Sequence, residues 1–105
     1  MRLSTVLSGL SEYADSIDYR DQIVKYTYTP AITGRYRFEM SDLDPSAEVD
    51  VAIYNASGNK LSGTSYGVGN GEGITVDDLT AGQQYEIHVS FYSKYSGFKI
   101  KIIYG

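Results

Sequence analysis

The chain has 105 residues, of which 42% are hydrophobic and 21% are charged, a composition typical of one globular domain and not of a disordered segment. Its formal net charge is −4, and no cluster of basic residues is visible in the sequence. Binding to a nucleic-acid backbone needs such a cluster, so we expect no nucleic-acid partner. The absence of cysteine excludes disulfides, thiolate metal sites and a cysteine nucleophile, and the chain is short for a catalytic fold with its own cofactor site, so we expect no cofactor.

Residues 1–12 are predicted to form an extended lead-in. Leu3, Leu7 and Leu10 have helical spacing, but the Ser, Thr and Gly residues around them are poor helix formers. Residues 1–10 lack the continuous apolar region of a signal peptide, and no apolar run in the chain approaches the roughly 20 residues of a membrane span. We therefore expect no membrane insertion.

Hydrophobic and polar residues then alternate in six segments, which is the pattern of a strand with one buried face. The hydrophobic members are Val24, Tyr26 and Tyr28; Tyr36, Phe38 and Met40; Val49, Val51 and Ile53; Ile74 and Val76; Tyr85, Ile87, Val89 and Phe91; and Phe98, Ile100, Ile102 and Tyr104. Turn residues between the segments favour sequential antiparallel pairing, and a glycine-rich stretch at 63–73 is predicted to be a flexible loop. Weaker patterns predict further strands at 13–17 and 60–65. The sequence predicts an all-β, antiparallel two-sheet sandwich, jelly-roll-like, with about eight strands.

The inward positions of these strands are predicted to form the core, because a slip of one residue would move each set into water. The predicted core is Tyr26, Tyr36, Phe38, Val51, Ile53, Ile74, Val76, Ile87, Val89, Phe91, Ile100 and Ile102. Tyr85 follows the turn at 79–82 at the entry to a strand. We predict that its hydroxyl bonds to the backbone of that turn as a tyrosine corner.

Five segments, taken in order, resemble the bacterial pre-peptidase C-terminal domain. They are YTYTP at 26–30, GRYRFEM at 34–40, DVAIYNASG at 50–58, LTAGQQYEIHVS at 79–90 and SGFKIKI at 96–102. The resemblance implies a jelly-roll-like sandwich of the kind that is appended to secreted peptidases and other surface proteins. It therefore implies a non-catalytic accessory or adhesion module, secreted or at the cell surface, with residues 1–105 as one domain excised from a larger exported protein.

Two features limit what this resemblance carries over. Family members often have two aspartates at the positions held here by Gln22 and Val24, so no acidic metal site is transferred to this chain. The segment LTAGQQY at 79–85 is also similar to the tyrosine-corner segment of fibronectin type III modules. That second resemblance implies a purely structural spacer in a multidomain surface protein, and the sequence leaves both functions open.

No set of residues for catalysis or metal binding is recognisable. His88 is the only histidine, and the alternation places it on the solvent face, opposite Lys99 or Lys101. Asp42 and Asp44 supply two carboxylates on a turn, but they do not have the spacing of a calcium-binding loop. We expect no enzyme activity, no catalytic residue and no metal ligand.

Tyrosine is the most abundant aromatic residue, with eleven copies against three of phenylalanine and none of tryptophan. The pattern places Tyr54 and Tyr92 on outward positions, and Tyr66 and Tyr95 in loops. Flat, amphipathic rings suit contact with sugars or with a fibrous protein, so these four are the predicted ligand-binding residues. We expect a polysaccharide or an extracellular protein as the partner, and a monomer for the isolated domain.

Overall fold

Nine β-strands make up the regular structure of the residues that the computed structural model describes, which are 5–7, 12–16, 23–44, 49–63, 72–91 and 97–105. The strands are β1 (Thr5–Leu7), β2 (Glu12–Ser16), β3 (Ile23–Tyr28), β4 (Gly34–Ser41), β5 (Val49–Tyr54), β6 (Lys60–Gly63), β7 (Glu72–Leu79), β8 (Tyr85–Phe91) and β9 (Gly97–Tyr104). None of the described residues belongs to a helix long and apolar enough to cross a membrane.

Two sheets face each other across the core. One has the strand order β1-β3-β8-β5-β6, and the other has the order β2-β9-β4-β7. Eight strands form two antiparallel four-stranded sheets, and β1 is added beside β3 in parallel. The predicted all-β sandwich with about eight strands is confirmed.

The expectation of sequential pairing is wrong. Among the described strands, β5 and β6 are the only consecutive pair that is hydrogen-bonded in one sheet, and the chain otherwise changes sheet between successive strands. This is the connectivity of a jelly roll and not of a meander. Alternation could not show it, because a strand has the same buried face whichever neighbour it pairs with.

The lead-in contains a strand that the sequence pattern did not predict. Thr5–Leu7 pairs with Tyr26–Tyr28, and the Leu7 side chain is only 3% exposed. Three residues are too few to show a period of two, which explains why the pattern missed it. The predicted loop at 63–73 is also shorter than expected, because Gly63 belongs to β6 and Gly73 to β7.

The core lies between the two sheets and agrees with the predicted inward faces. All the predicted core residues except Phe91 are buried, and the side chain of Phe91 lies outside the described part of the structure. The core also takes in Leu7, Val24, Tyr28, Met40, Leu43, Val49, Leu79, Tyr85 and Phe98. The alternation therefore predicted the buried faces of β3, β4, β5, β7, β8 and β9 correctly.

Several tyrosines use their hydroxyls inside the sandwich. Tyr26 donates a 2.7 Å hydrogen bond to Asp15 Oδ2, and Tyr36 donates one to the backbone carbonyl of Ile32. Burial, together with the neighbouring Tyr36 and Tyr13, raises the pKa of the Tyr28 hydroxyl above its ordinary value of 10.0. These tyrosines are structural residues, and they account for part of the tyrosine excess.

The predicted tyrosine corner at Tyr85 is confirmed. The backbone N–H of Thr80 donates to the Tyr85 hydroxyl at 2.8 Å, and the side chain is 4% exposed. Gly82, with φ +82°, shapes the same turn, and its N–H donates to the carbonyl of Pro30 at 3.0 Å. The corner bond closes the loop between β7 and β8, and the Gly82–Pro30 hydrogen bond holds that loop against the loop between β3 and β4.

Tyr85→Phe should lower the free energy of unfolding by about 1 kcal/mol, because the ring stays packed while the Thr80 N–H loses its acceptor. Urea denaturation followed by circular dichroism would measure this loss. Tyr104→Phe is a suitable control, since Tyr104 is 42% exposed and lies at the end of β9. Equal stability of the two variants would show that the corner bond contributes nothing.

Candidate functional site

One of the four predicted ligand-binding tyrosines lies within the described residues. Tyr54 is the last residue of β5, half-buried and on the outer face of the five-stranded sheet. Tyr66, Tyr92 and Tyr95 lie outside the described residues, so their placement stays a prediction. The site is therefore built from Tyr54 and its neighbours.

Two cross-strand rows bring polar side chains together on the outer face around Tyr54. In one row, Glu86 of β8 lies between Tyr54 of β5 and Thr27 of β3. In the next row, His88 lies between Ala52 of β5 and Lys25 of β3. Residues two apart on β8 thus share one face with Tyr54.

The expected neighbours of His88 were wrong. The sequence placed Lys99 or Lys101 opposite His88, but both lysines belong to β9, which lies in the other sheet. The error follows from the expected sequential pairing of β8 with β9. The pairing observed, with β3 and β5, gives His88 an aromatic neighbour, Tyr54, that the sequence pattern did not reveal.

Tyr54, His88 and Glu86 form one contact cluster, which we call the Tyr54–His88–Glu86 cluster. The rings of Tyr54 and His88 are 4.3 Å apart between centroids and tilted by 33°. His88 Nε2 lies 2.9 Å from Glu86 Oε1, within hydrogen-bond distance. The side chains of His88 and Glu86 are 18% and 41% exposed, respectively. The cluster consists of two tilted, partly stacked rings with a carboxylate beside the histidine.

The turn between β5 and β6 is organised by Asn55. Its side-chain Oδ1 accepts hydrogen bonds from the backbone N–H groups of Ser57 at 3.0 Å and Asn59 at 2.9 Å. The Gly58 N–H donates to the Asn55 carbonyl at 3.0 Å, and Gly58 has φ +85°, a conformation that favours glycine. Two backbone donors fix which end of the Asn55 amide is the oxygen.

A surface pocket of about 400 Å³, which we call the turn pocket, lies beside this turn. The residues that line it are Asn55, Ala56, Ser57, Gly58, Gln84 and Glu86. Glu86 belongs both to the turn pocket and to the Tyr54–His88–Glu86 cluster. The cluster and the turn pocket therefore adjoin. Together they offer the rings of Tyr54 and His88, side-chain amides, a hydroxyl and one carboxylate.

The outer face of the four-stranded sheet carries paired charges. Arg37 Nε lies 3.2 Å from Glu39 Oε2, and Lys99 Nζ lies 3.2 Å from Asp42 Oδ2. This contact with Asp42, with a smaller effect from Glu12, raises the pKa of the Lys99 ammonium. No group of three or more His, Asp or Glu residues that could hold a metal ion occurs among the described residues.

No family model matches the chain, and no curated protein sequence matches it. Several solved structures are similar in fold. The pre-peptidase C-terminal domain of a collagenase from Bacillus anthracis has a TM-score of 0.73 at 13% identity, over 98% of this chain and 97% of that chain. PliG from Aeromonas hydrophila, a periplasmic lysozyme inhibitor of g-type lysozyme, has a TM-score of 0.61 at 8% identity, over 95% and 97%.

PliG from Salmonella Typhimurium, a periplasmic inhibitor of the same class of lysozyme, has a TM-score of 0.51 at 12% identity, over 96% of this chain and 100% of that chain. At these identities the likeness concerns the fold. The similarity to the collagenase domain extends over nearly the whole of both chains. The chain therefore has the jelly-roll-like β-sandwich fold of the pre-peptidase C-terminal domain, as the resemblance in its sequence implies.

Proposed function

We propose that the chain is a non-catalytic binding module, one domain of a larger secreted or cell-surface protein, and that it acts as a monomer. The observation that carries the proposal is the Tyr54–His88 stack beside the Glu86 carboxylate on an open sheet face. Flat aromatic side chains next to polar groups suit the binding of a polysaccharide or an extracellular protein. The fold neighbours, a collagenase accessory domain and a lysozyme inhibitor, support a role other than catalysis.

The chemistry of the site also favours binding over catalysis. His88 is the only histidine, and its Nε2 is engaged by Glu86. General acid–base or nucleophilic schemes need such a group beside a nucleophile, and Lys25 and Ala52 are its neighbours across the strands. Tyr66, Tyr92 and Tyr95 remain proposed contributors to the binding surface.

Tyr54→Ala should weaken polysaccharide or collagen binding about tenfold, because it removes an aromatic contact of about 1.4 kcal/mol. Binding of the 105-residue protein to polysaccharides and to collagen can be measured by calorimetry and pull-down. Thr75→Ala, on the outer face of the four-stranded sheet, is the control and should bind like the wild type. A Tyr92→Ala, Tyr95→Ala double variant tests the predicted contribution of the second region.

The outcomes separate the candidate functions. Loss of binding only in the double variant would keep the binding role and move the site away from Tyr54. Absence of binding by the wild type to all these ligands would overturn the proposal. The structural spacer role would then be the better account of the chain.

A further inference from the structure

The turn pocket has a polar lining with one charge. Among the described residues that line it, Glu86 is the only ionisable one, and none is basic. Asn55 and Gln84 contribute amides, and Ser57 contributes a hydroxyl. Such a lining gives an anionic ligand no counter-charge and places a carboxylate against it.

Asn55 lines the pocket and has side-chain donors that the turn does not use. Its Oδ1 is taken by two backbone N–H groups of the turn, and within the described structure its Nδ2 has no hydrogen-bond acceptor. The amide is held in one orientation by those two bonds, so the Nδ2 donors are fixed before a ligand arrives. Pre-organised donors of this kind cost a ligand little ordering free energy.

Glu86 lines the same pocket and supplies an acceptor. Its Oε1 is paired with His88 Nε2, while Oε2 accepts no hydrogen bond from any residue in the described ranges. The pairing with His88 holds the carboxylate beside the turn. The pocket thus combines a fixed pair of N–H donors with a charged acceptor, and Tyr54 directly precedes Asn55 at the end of β5.

We propose that the turn pocket binds an uncharged sugar unit through adjacent hydroxyl groups, with Asn55 Nδ2 as donor and Glu86 as acceptor. This inference rests on the proposed binding function and names its ligand class. A hydroxyl both donates and accepts, so a pair of them satisfies both side chains. An ammonium group would leave the Asn55 donors unpaired, and a ligand carboxylate would be repelled by Glu86. Tyr54 lies outside the lining of the turn pocket, and its ring is linked to the pocket through His88 and Glu86.

Two substitutions test the proposed contacts with little change of shape. Asn55→Asp keeps the acceptor that organises the turn and replaces the Nδ2 donors by an acceptor. Glu86→Gln removes the charge of the carboxylate. Each should weaken binding of a neutral glucan or galactan about tenfold, because Asn55→Asp removes a fixed donor and Glu86→Gln replaces a charged acceptor by a neutral one.

Matched controls make the same chemical changes elsewhere. Asn59→Asp changes another asparagine of the turn, outside the pocket lining, and Glu39→Gln changes a glutamate on the other sheet. Both should bind the neutral polysaccharide like the wild type. In an NMR titration of the wild type, the side-chain NH₂ signal of Asn55 should shift when the glucan or galactan is added.

Calorimetry with a neutral glucan, a neutral galactan, polygalacturonate and chitosan distinguishes the outcomes. Preference for a neutral polymer, weakened by both pocket variants and by neither control, supports the inference. Unchanged binding by Asn55→Asp and Glu86→Gln overturns it while the binding function stands, as does a preference for polygalacturonate, chitosan or collagen. Binding to none of these polymers nor to collagen overturns the inference together with the proposed function.

Discussion

Phe38→Ala should lower the free energy of unfolding by about 3–5 kcal/mol, the range for removing a fully buried phenylalanine. Phe38 is 0% exposed and lies in β4 between Ile74 of β7 and Ile102 of β9. Its ring also meets that of Tyr28 from the opposite sheet, with centroids 6.2 Å apart and planes at 83°. The substitution would open a cavity where the two sheets pack against each other.

Urea denaturation of the wild type and Phe38→Ala would measure this change. Ile32→Ala is the control, because Ile32 is 56% exposed and its truncation should change stability by less than about 0.5 kcal/mol. If Phe38→Ala were as stable as Ile32→Ala, the packing described between β4 and β3 would be wrong.

Gly73→Ala should also destabilise the protein strongly, by about 1–3 kcal/mol or more. A Cβ at position 73 would lie 2.0 Å from the carbonyl oxygen of Phe38 and 2.7 Å from the Cα of Glu39. Both are backbone atoms of β4, so no side-chain rotation relieves the clash. The paired strands β4 and β7 would have to separate locally.

Gly97→Ala is the matched control for this prediction. It lies in β9, and the nearest atom to its added Cβ is the Asp15 carbonyl oxygen at 3.8 Å, an ordinary contact. Thermal unfolding and amide exchange of β7 would compare the two variants. Similar melting temperatures for Gly73→Ala and the control would mean that β7 does not approach β4 as closely as the structure shows.

The amino-acid pattern predicted the buried faces of the six alternating strands, but it missed β1 and did not give the strand neighbours. Whether Ile87 faces the core depends on alternation along its own strand, which a local pattern records. Whether His88 lies beside Lys99 or Lys25 depends on which strands pair, and those strands are far apart in the chain. Because the jelly-roll connectivity puts β8 and β9 in different sheets, His88 does not lie opposite Lys99 or Lys101, as the pattern predicted.

The candidate site was only partly predictable for the same reason. Tyr54 was identified as an outward aromatic residue from the alternation of β5, and the structure places it there. Its stacking on His88 depends on the β5–β8 register, whereas the contact of His88 with Glu86 lies within β8. The Asn55 turn carries a recognisable turn sequence, but the pocket beside it also needs Gln84 and Glu86, which follow about 30 positions later.

The strand order described above has a consequence for how the chain reaches its native state. Glu12 of β2 pairs with Lys101 of β9, and β9 lies between β2 and β4 in its sheet. Folding slows as contacts join more distant positions, and β-sandwiches fold in about milliseconds to seconds. The four-stranded sheet cannot be completed before its final strand has been synthesised. Its assembly during translation therefore waits until Gly97–Tyr104 has left the ribosome.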